Sequence, residues 1–512
     1  MNTWLPVVMK VRRRGHGLRI AACLLALLLA APLASASASV DHPPVDAIIA
    51  QIDAGHFKAA EAAISTALTV SKRSADTKTA LTFQRERMRR ILLDFTLSAD
   101  DVKARVRKEI PNLTDAQFAK WNAAGLFEHQ VIDGRTLYFK RSPGNLFRLS
   151  AEAVARRAVQ TPITDGPMES LNEHQRAVYH AALTEQRSSV LPRRVRMTQT
   201  LTVNADAVPA GETVRAWIPY PQALPGQQED IRYVSSVPAR HEIAPASTMQ
   251  RTVYLEKPAK AGQKTEFSVT YEVTVFAQYH AIDADKVRAE TITPELAPFV
   301  AERAPHIVFT DAMRAFSRKV VGDEKNPYRI AQKLFAAVDQ IPWAGAREYS
   351  TISNISDYAL HAGHADCGQQ TLLLMTLLRL NGIPTRWQSG RVFFNNGSGD
   401  GSNYSNIHDW GYLYLAPYGW VPMDVTTGRL HPAPSDDKAL AWFYLGGLDN
   451  YRIAFNNDFG RSFLPPKQQF RSDDVDSQRG EAEWKGGNLY FDQTDYDFKW
   501  QSLPSTHGRT NK

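Results

Sequence analysis

The chain has 512 residues, 22% of them charged, and a formal net charge of +7. Five of its basic residues and none of its acidic residues lie in the first 38 positions, so the rest of the chain is close to neutral. A near-neutral chain lacks the strong positive field typical of nucleic-acid-binding proteins, and we expect no nucleic-acid partner. The length exceeds that of one ordinary hydrophobic core and predicts about three folded units.

Residues 1–38 have the pattern of a signal peptide. Basic residues at positions 10–19 precede an apolar run at 20–33, and small-residue cleavage motifs follow at 34–38. The apolar run is shorter than the ~20 residues that span a bilayer. We therefore expect an exported protein, periplasmic or extracellular, without stable membrane insertion.

Cysteine usage draws attention to one residue. The chain has two cysteines, and Cys23 lies inside the expected signal peptide. The mature chain then keeps one thiol, Cys367, which has no internal partner for a disulfide. Because unpaired thiols in exported proteins are easily oxidised, this one suggests a chemical role.

Residues 41–190 are predicted to form a mainly helical N-terminal region. A helical hairpin breaks at Gly55, and Thr114 opens a capping box with Gln117. A β-hairpin turning at Asp133-Gly134 follows, which gives a winged-helix-like unit. The export signal and the neutral charge argue against DNA binding, so we interpret this unit as a packing or substrate-facing module.

The remaining chain divides into three predicted parts. Residues 193–280 alternate between apolar and polar positions and are interrupted by Pro, Gly and Asn, which predicts a β-sandwich. Residues 290–445 combine helices and strands and contain Cys367. Residues 446–512 form a strand-rich C-terminal extension with many aromatic side chains.

Cys367 is predicted to lie in the first turn of a buried helix. Asp366 is a natural N-cap with Gln369 three residues later, residues 370–380 are almost entirely apolar, and Asn381-Gly382 ends the helix. The free amides and partial positive charge of a helix N-terminus favour a thiolate and can bind an oxyanion. The carboxylate of Asp366 opposes thiolate formation, so a basic partner is required.

His408 is the candidate base. It precedes the strand pattern of residues 409–415, and a turn at 416–419 returns the chain as a second strand that ends at Asp424. A hairpin of this length brings Asp424 within a residue or two of His408, where a carboxylate orients the imidazole. Asp409 is expected to point away, because neighbouring strand residues face opposite sides of a sheet.

These residues carry a resemblance to a known family. Over about residues 340–430 the chain resembles the transglutaminase-like superfamily, within the wider group of papain-like thiol enzymes. The motifs concerned are Gly363-His364-Ala365-Asp366-Cys367-Gly368, Arg379-Leu380-Asn381-Gly382-Ile383-Pro384-Thr385-Arg386, His408-Asp409-Trp410 and Gly419-Trp420-Val421-Pro422-Met423-Asp424. The resemblance implies Cys367 as nucleophile, His408 as general base and Asp424 as orienting carboxylate. The chain departs from the animal cross-linking enzymes, which have Trp where Gly368 stands.

The expected fold is α+β and multidomain: a helical N-terminal region, a β-sandwich and a papain-like, transglutaminase-like catalytic domain. The expected activity is cysteine-dependent hydrolysis of a peptide or protein amide, with the cell envelope as one source of substrate. Two alternatives remain open, a cross-linking transglutaminase and a non-catalytic binding or assembly module that keeps the fold.

A metal site is the least favoured interpretation. His361, His364 and Cys367 are three residues apart, a spacing that presents ligands on one helical face. Gly363 and the Asp366 cap place the helix start after the two histidines, so we expect no metal ion and no cofactor.

Overall fold

The computed structural model describes residues 45–70, 73–160, 168–395 and 403–504, and the expected signal peptide lies outside them. The α-helices are α1 (Val45–Asp53), α2 (Phe57–Leu68), α3 (Ala75–Asp94), α4 (Ala99–Arg107), α5 (Asp115–Ala123), α6 (Ser142–Leu149), α7 (Ala151–Ala155), α8 (Glu173–Glu185), α9 (Asp311–Val321), α10 (Pro327–Asp339), α11 (Ile355–His361) and α12 (Cys367–Leu380). The strands are β1 (Phe95–Leu97), β2 (His129–Ile132), β3 (Arg135–Phe139), β4 (Ser189–Val203), β5 (Thr213–Pro219), β6 (Gln228–Val237), β7 (Glu242–Ile243), β8 (Thr252–Pro258), β9 (Thr265–Tyr279), β10 (Thr385–Asn395), β11 (Asn403–Leu415), β12 (Gly419–Met423), β13 (Gly447–Leu448), β14 (Arg452–Asn456), β15 (Glu481–Trp484), β16 (Gly487–Leu489) and β17 (Thr494–Ser502).

The N-terminal helices follow local sequence signals. Thr114 caps α5 through a capping box with Gln117, as expected. The hairpin of β2 and β3 turns at Asp133 and Gly134, both with positive φ, which matches the turn type that twists with its strands. Gly55 also has positive φ, and a Cβ there would lie 1.9 Å from the carbonyl oxygen of Val131. Only glycine permits this close approach of the first helical hairpin to β2.

Two antiparallel sheets pack face to face in the middle of the chain. One has the order β13-β9-β4-β17, with β6 also paired to β9, and the other has the order β16-β15-β5-β8-β7. Alternate residues of β4 and β9 point into a shared apolar core with residues of β5 and β8. The C-terminal strands β15 and β17 pair with β5 and β4, so residues distant in sequence complete both sheets.

A second core surrounds α12, which packs against a four-stranded sheet of order β12-β11-β10-β14. Every residue of α12 from Cys367 to Arg379 is buried, and the helix ends at Asn381-Gly382, as the apolar run and the stop signal predict. Strands β10 and β14 approach each other closely at Gly390, because a Cβ at this residue would lie 1.9 Å from the carbonyl oxygen of Ile453. The sheet therefore includes a strand from beyond residue 445.

The N-terminal helices hold the loop that precedes α11. The side-chain amide of Asn145 donates to the carbonyl oxygen of Gly345 (2.9 Å) and accepts from its amide (3.0 Å). Arg87 donates to the carbonyl oxygen of Thr351 (3.1 Å). These buried contacts hold the loop at residues 343–351 against α3 and α6. None of the helices within the described ranges is both long and apolar enough to cross a membrane.

Candidate active site

Cys367 is the first residue of α12 and is 9% exposed. Asp366 caps the helix by accepting a hydrogen bond from the amide of Gln369, and the Gln369 side chain accepts one from the amide of Asp366, both at 3.1 Å. This reciprocal box fixes the chain direction into the helix. The thiol therefore lies at the positive end of a rigid, buried helix.

His408 and Asp424 form the expected hydrogen-bonded pair. The Nε2 atom of His408 lies 2.8 Å from Oδ2 of Asp424, which is fully buried. Strands β11 and β12 pair Gly411 with Met423, so their hairpin register brings the two residues together. Because Nε2 is engaged by the carboxylate, Nδ1 is the ring nitrogen that remains for the reacting groups.

Asp424 has two further donors. Arg452 donates through Nη1 (2.9 Å) and Thr427 through its hydroxyl (2.7 Å) to the same Oδ2 that faces His408. Burial opposes ionisation, but the charges of His408 and Arg452 outweigh it and hold the pKa of Asp424 well below its usual range. Asp424 is therefore ionised at neutral pH.

The thiol of Cys367 has a different partner. Its Sγ donates to Oδ2 of Asp409 (3.2 Å), and the hydroxyl of Tyr349 donates to Oδ2 of Asp409 (3.2 Å) and to Oδ1 of Asp366 (2.9 Å). Asp409 thus faces α12 while its neighbour His408 faces Asp424, in agreement with the alternation of a strand. Burial, followed by the charges of Asp409 and Asp366, raises the pKa of the thiol well above its usual range.

Gly368 is required by this arrangement. A Cβ at residue 368 would lie 2.0 Å from the hydroxyl oxygen of Tyr349 and 2.8 Å from Oδ2 of Asp409. The large residue that follows the cysteine in the cross-linking enzymes has no space here. The hydroxyl of Tyr349 is engaged by the carboxyl groups of Asp366 and Asp409 and is therefore not free to donate to an oxyanion.

Two cavities meet at the thiol and share Trp343, Cys367, Asn406 and Ile407 as lining residues. The first, here called the acidic cavity, has a volume of about 280 Å³. Its carboxyl groups are those of Glu348, Asp366, Asp409, Asp473, Asp476 and Glu481. The second, the histidine cavity, has a volume of about 310 Å³. It is bordered by His408, Thr427, Arg452 and the apolar side chains of Val392, Phe394 and Tyr451.

The site residues that the sequence analysis did not identify lie mainly in the C-terminal part of the chain. Arg452 enters through the pairing of β14 with β10. The Nε2 atom of Gln478 donates to the backbone of His408 (2.8 Å) and to Oδ1 of Asp409 (2.9 Å), which links the two neighbours. No short sequence motif identifies Arg452 or Gln478 as a site residue. The run of acidic residues at 473–476 is the one sequence feature that could have pointed to this segment.

The three residues considered as metal ligands do not converge. His361 is exposed and contacts the backbone of Asp357 (2.8 Å), while Nε2 of His364 lies 3.8 Å from Glu128. Across the described ranges, no group of three or more His, Cys, Asp or Glu side chains has the arrangement of a metal site.

Comparison with known proteins identifies the central segment. A family model described as the transglutaminase-like superfamily matches residues 314–425. A search of curated proteins found no match.

Among solved structures, a proposed cysteine protease from Cytophaga hutchinsonii is 13% identical. The match covers 62% of this chain and 93% of that one, with a TM-score of 0.41. The periplasmic domain of TgpA from Pseudomonas aeruginosa, bound to ethylmercury, is 14% identical over 51% of this chain and 97% of its own, with a TM-score of 0.24. These scores are too low to bear on function. The family match and the observed α+β architecture agree with the resemblance of the motifs: residues 314–425 are similar to the transglutaminase-like superfamily.

Proposed function

We propose that this protein is a cysteine-dependent acyl-transfer enzyme that hydrolyses amide bonds through an acyl-thioester. Cys367 is the nucleophile, His408 the general base and acid, and Asp424 the orienting carboxylate. The observation that carries the proposal is the 2.8 Å hydrogen bond between His408 and Asp424, because it orients the ring and leaves Nδ1 for the thiol. Cys367 and His408 border the same cavity, which further supports the proposal.

The first half-reaction forms the thioester. The thiol proton of Cys367 passes to Nδ1 of His408 as sulfur bonds to the carbonyl carbon, and the C=O π pair moves to oxygen. In this proposal the amides that remain free at the start of α12 stabilise that oxyanion. The oxyanion then collapses, the C–N bond breaks, and the proton on Nδ1 goes to the leaving amine.

The second half-reaction releases the acid. His408 takes a proton from water, the oxygen bonds to the thioester carbon, and collapse breaks the C–S bond. The imidazolium returns its proton to sulfur, which regenerates the thiol. We favour hydrolysis over cross-linking because water needs no dedicated acceptor site, whereas transfer needs a bound amine.

The non-catalytic alternative has one observation in its favour. The thiol donates to Asp409 and its pKa is raised by burial, which describes an unreactive cysteine. Formation of an acyl adduct on Cys367 separates the two functions. The absence of any adduct in the extract experiment described next, together with an unchanged phenotype of Cys367→Ala, contradicts the assignment as an enzyme.

The substrate is proposed to be a peptide or protein amide of the cell envelope, reached after export. The basis is the sequence of residues 1–38. Incubation with cell-envelope extracts, followed by mass spectrometry of the peptide containing Cys367, tests this proposal. We expect an acyl adduct in the wild type and none in Cys367→Ala; His408→Ala should also lack the adduct, because it has no group to take the thiol proton or to protonate the leaving amine. Hydrolysis in H₂¹⁸O places the label in the acid product, whereas transfer to an amine does not.

A further inference from the structure

If the proposed function is correct, the two cavities hold the two parts of the substrate that lie on either side of the scissile bond. His408 borders the histidine cavity and is absent from the lining of the acidic cavity. Because His408 has to deliver its proton to the leaving nitrogen, the leaving group belongs in the histidine cavity. The acyl part of the substrate then extends from the carbonyl carbon into the acidic cavity.

The acidic cavity is poorly balanced in charge. Two of its carboxylates have cationic partners: Glu348 pairs with the half-buried Arg479 (3.0 Å), and Glu481 pairs with Lys467 (2.8 Å) and Arg471 (2.6 Å). Arg347 donates to the carbonyl oxygen of Thr351. The exposed Arg141 lowers the pKa of Asp366, but burial outweighs it and raises that pKa to about 6. The carboxyl groups nearest the thiol are therefore held in a low-dielectric site without close cationic partners.

One oxygen atom of Asp476 lacks a partner. Asp476 is 2% exposed and borders the acidic cavity, and its carboxyl group hydrogen-bonds Ser389 and Asp409, yet its Oδ2 accepts no hydrogen bond within the described part of the chain. Ser477 is also buried and borders the acidic cavity, and its hydroxyl oxygen has no hydrogen-bond partner within the described part of the chain. Asp476 and Asp409 lie close enough for each to act on the pKa of the other, and Asp473 borders the same space.

We propose that the acidic cavity binds an ammonium group carried by the acyl part of the substrate, with Asp476 and Asp473 as its carboxylate partners. An ammonium group supplies both the positive charge and the N–H donors that these buried oxygens lack. The enzyme then prefers amides whose acyl donor has a free amine near the scissile carbonyl. Two sources share this chemistry, the α-amino group of a short peptide and the side-chain amine of a lysine-like residue.

The bound cation also acts on the nucleophile. Asp409 and Asp366 oppose ionisation of Cys367, and a positive charge beside Asp476 offsets their field. A substrate with a free amine thereby promotes thiolate formation as it binds, while the thiol of the free enzyme stays protonated. This explains why a nucleophile is found beside an acidic partner.

Binding to the full chain carrying Cys367→Ala tests the inference without turnover. The probes are trialanine amide, its Nα-acetyl form, and Nα-acetyl-Ala-Lys-Ala amide. We expect at least one of the two amine-bearing probes to bind about tenfold or more tightly than acetyl-trialanine amide, as removal of one charge-assisted hydrogen bond predicts. Whichever amine binds identifies the source.

Matched variants complete the test. Added to Cys367→Ala, Asp476→Asn is expected to reduce the preference to about twofold or less, and Asp473→Asn serves if that variant does not fold. Asp285→Asn, at an exposed carboxylate away from the cavity, should leave it unchanged. Equal binding of all three probes, or a preference that survives both cavity variants, overturns the inference. An amine preference without any acyl adduct on wild-type Cys367 would instead reject the proposed function alone.

Discussion

Replacement of Asp409 by Asn should make Cys367 more reactive. The carboxylate oxygen and the thiol sulfur are 3.2 Å apart. Two unit charges at this separation repel by about 1.3 kcal/mol in water and about 5 kcal/mol at an effective dielectric constant of about 20. Since one pKa unit corresponds to about 1.4 kcal/mol, the pKa of the thiol should fall by about 1 to 4. Asparagine keeps the size of the side chain and can donate to a thiolate.

The rate of alkylation by iodoacetamide, measured from pH 5 to 10, reports this pKa. The midpoint for Asp409→Asn should lie at least about one pH unit below that of the wild type. The two proteins should converge at low pH, because burial raises the pKa of Asp409 to about 7 and the wild-type carboxyl is neutral below that value. Asp285→Asn is the exposed control. A midpoint that stays or rises in Asp409→Asn would refute the electrostatic account of the site.

Three further changes test other parts of the structure. Arg452→Met leaves the buried carboxylates of Asp424 and Asp449 without their arginine and should lower the free energy of unfolding by about 3–5 kcal/mol in urea titrations, whereas the exposed Arg461→Met should cost less than about 0.5 kcal/mol. Gly368→Ala should cost about 1–3 kcal/mol in the same assay because its Cβ meets the Tyr349 hydroxyl, and equal stability of this variant and Gly144→Ala, whose Cβ meets nothing, would contradict the packing. Asp409 should contribute stability that is lost as pH rises from about 4 to 7, since the folded protein keeps its proton up to a pKa of about 7 and the unfolded chain loses it near 3.8; stability should therefore decline less with pH in Asp409→Asn than in the wild type, and equal slopes in the two proteins would contradict the assignment.

Local sequence signals were sufficient for the elements that carry the three expected site residues. The Asp366 cap, the apolar run and the Asn381-Gly382 stop predict the helix Cys367–Leu380 that the structure shows. The turn between β11 and β12 fixes their register, and register alone brings Asp424 to His408. The spacing of apolar residues along each helix or strand, and the residues at its ends, are therefore sufficient to predict these elements.

Local sequence signals could not predict the residues that surround Cys367, His408 and Asp424. Arg452 reaches Asp424 because β14 pairs with β10, and Asp476 reaches the thiol through a segment that follows β14. No periodicity encodes the pairing of strands that are far apart in the chain, because such contacts depend on the whole fold. Alternation predicted the direction of Asp409, but it could not show that α12 would place a thiol on that side.

The pairing of β14 with β10 has a consequence for how the protein is made. A ribosome releases the chain from its N-terminus, so Cys367, His408 and Asp424 emerge before Arg452, Asp476 and the strands β15 and β17. Until those later residues arrive, Asp424 lacks its arginine and the sheet edge at β10 is unpaired. The candidate site therefore acquires its last buried partners only when synthesis of the chain is nearly complete.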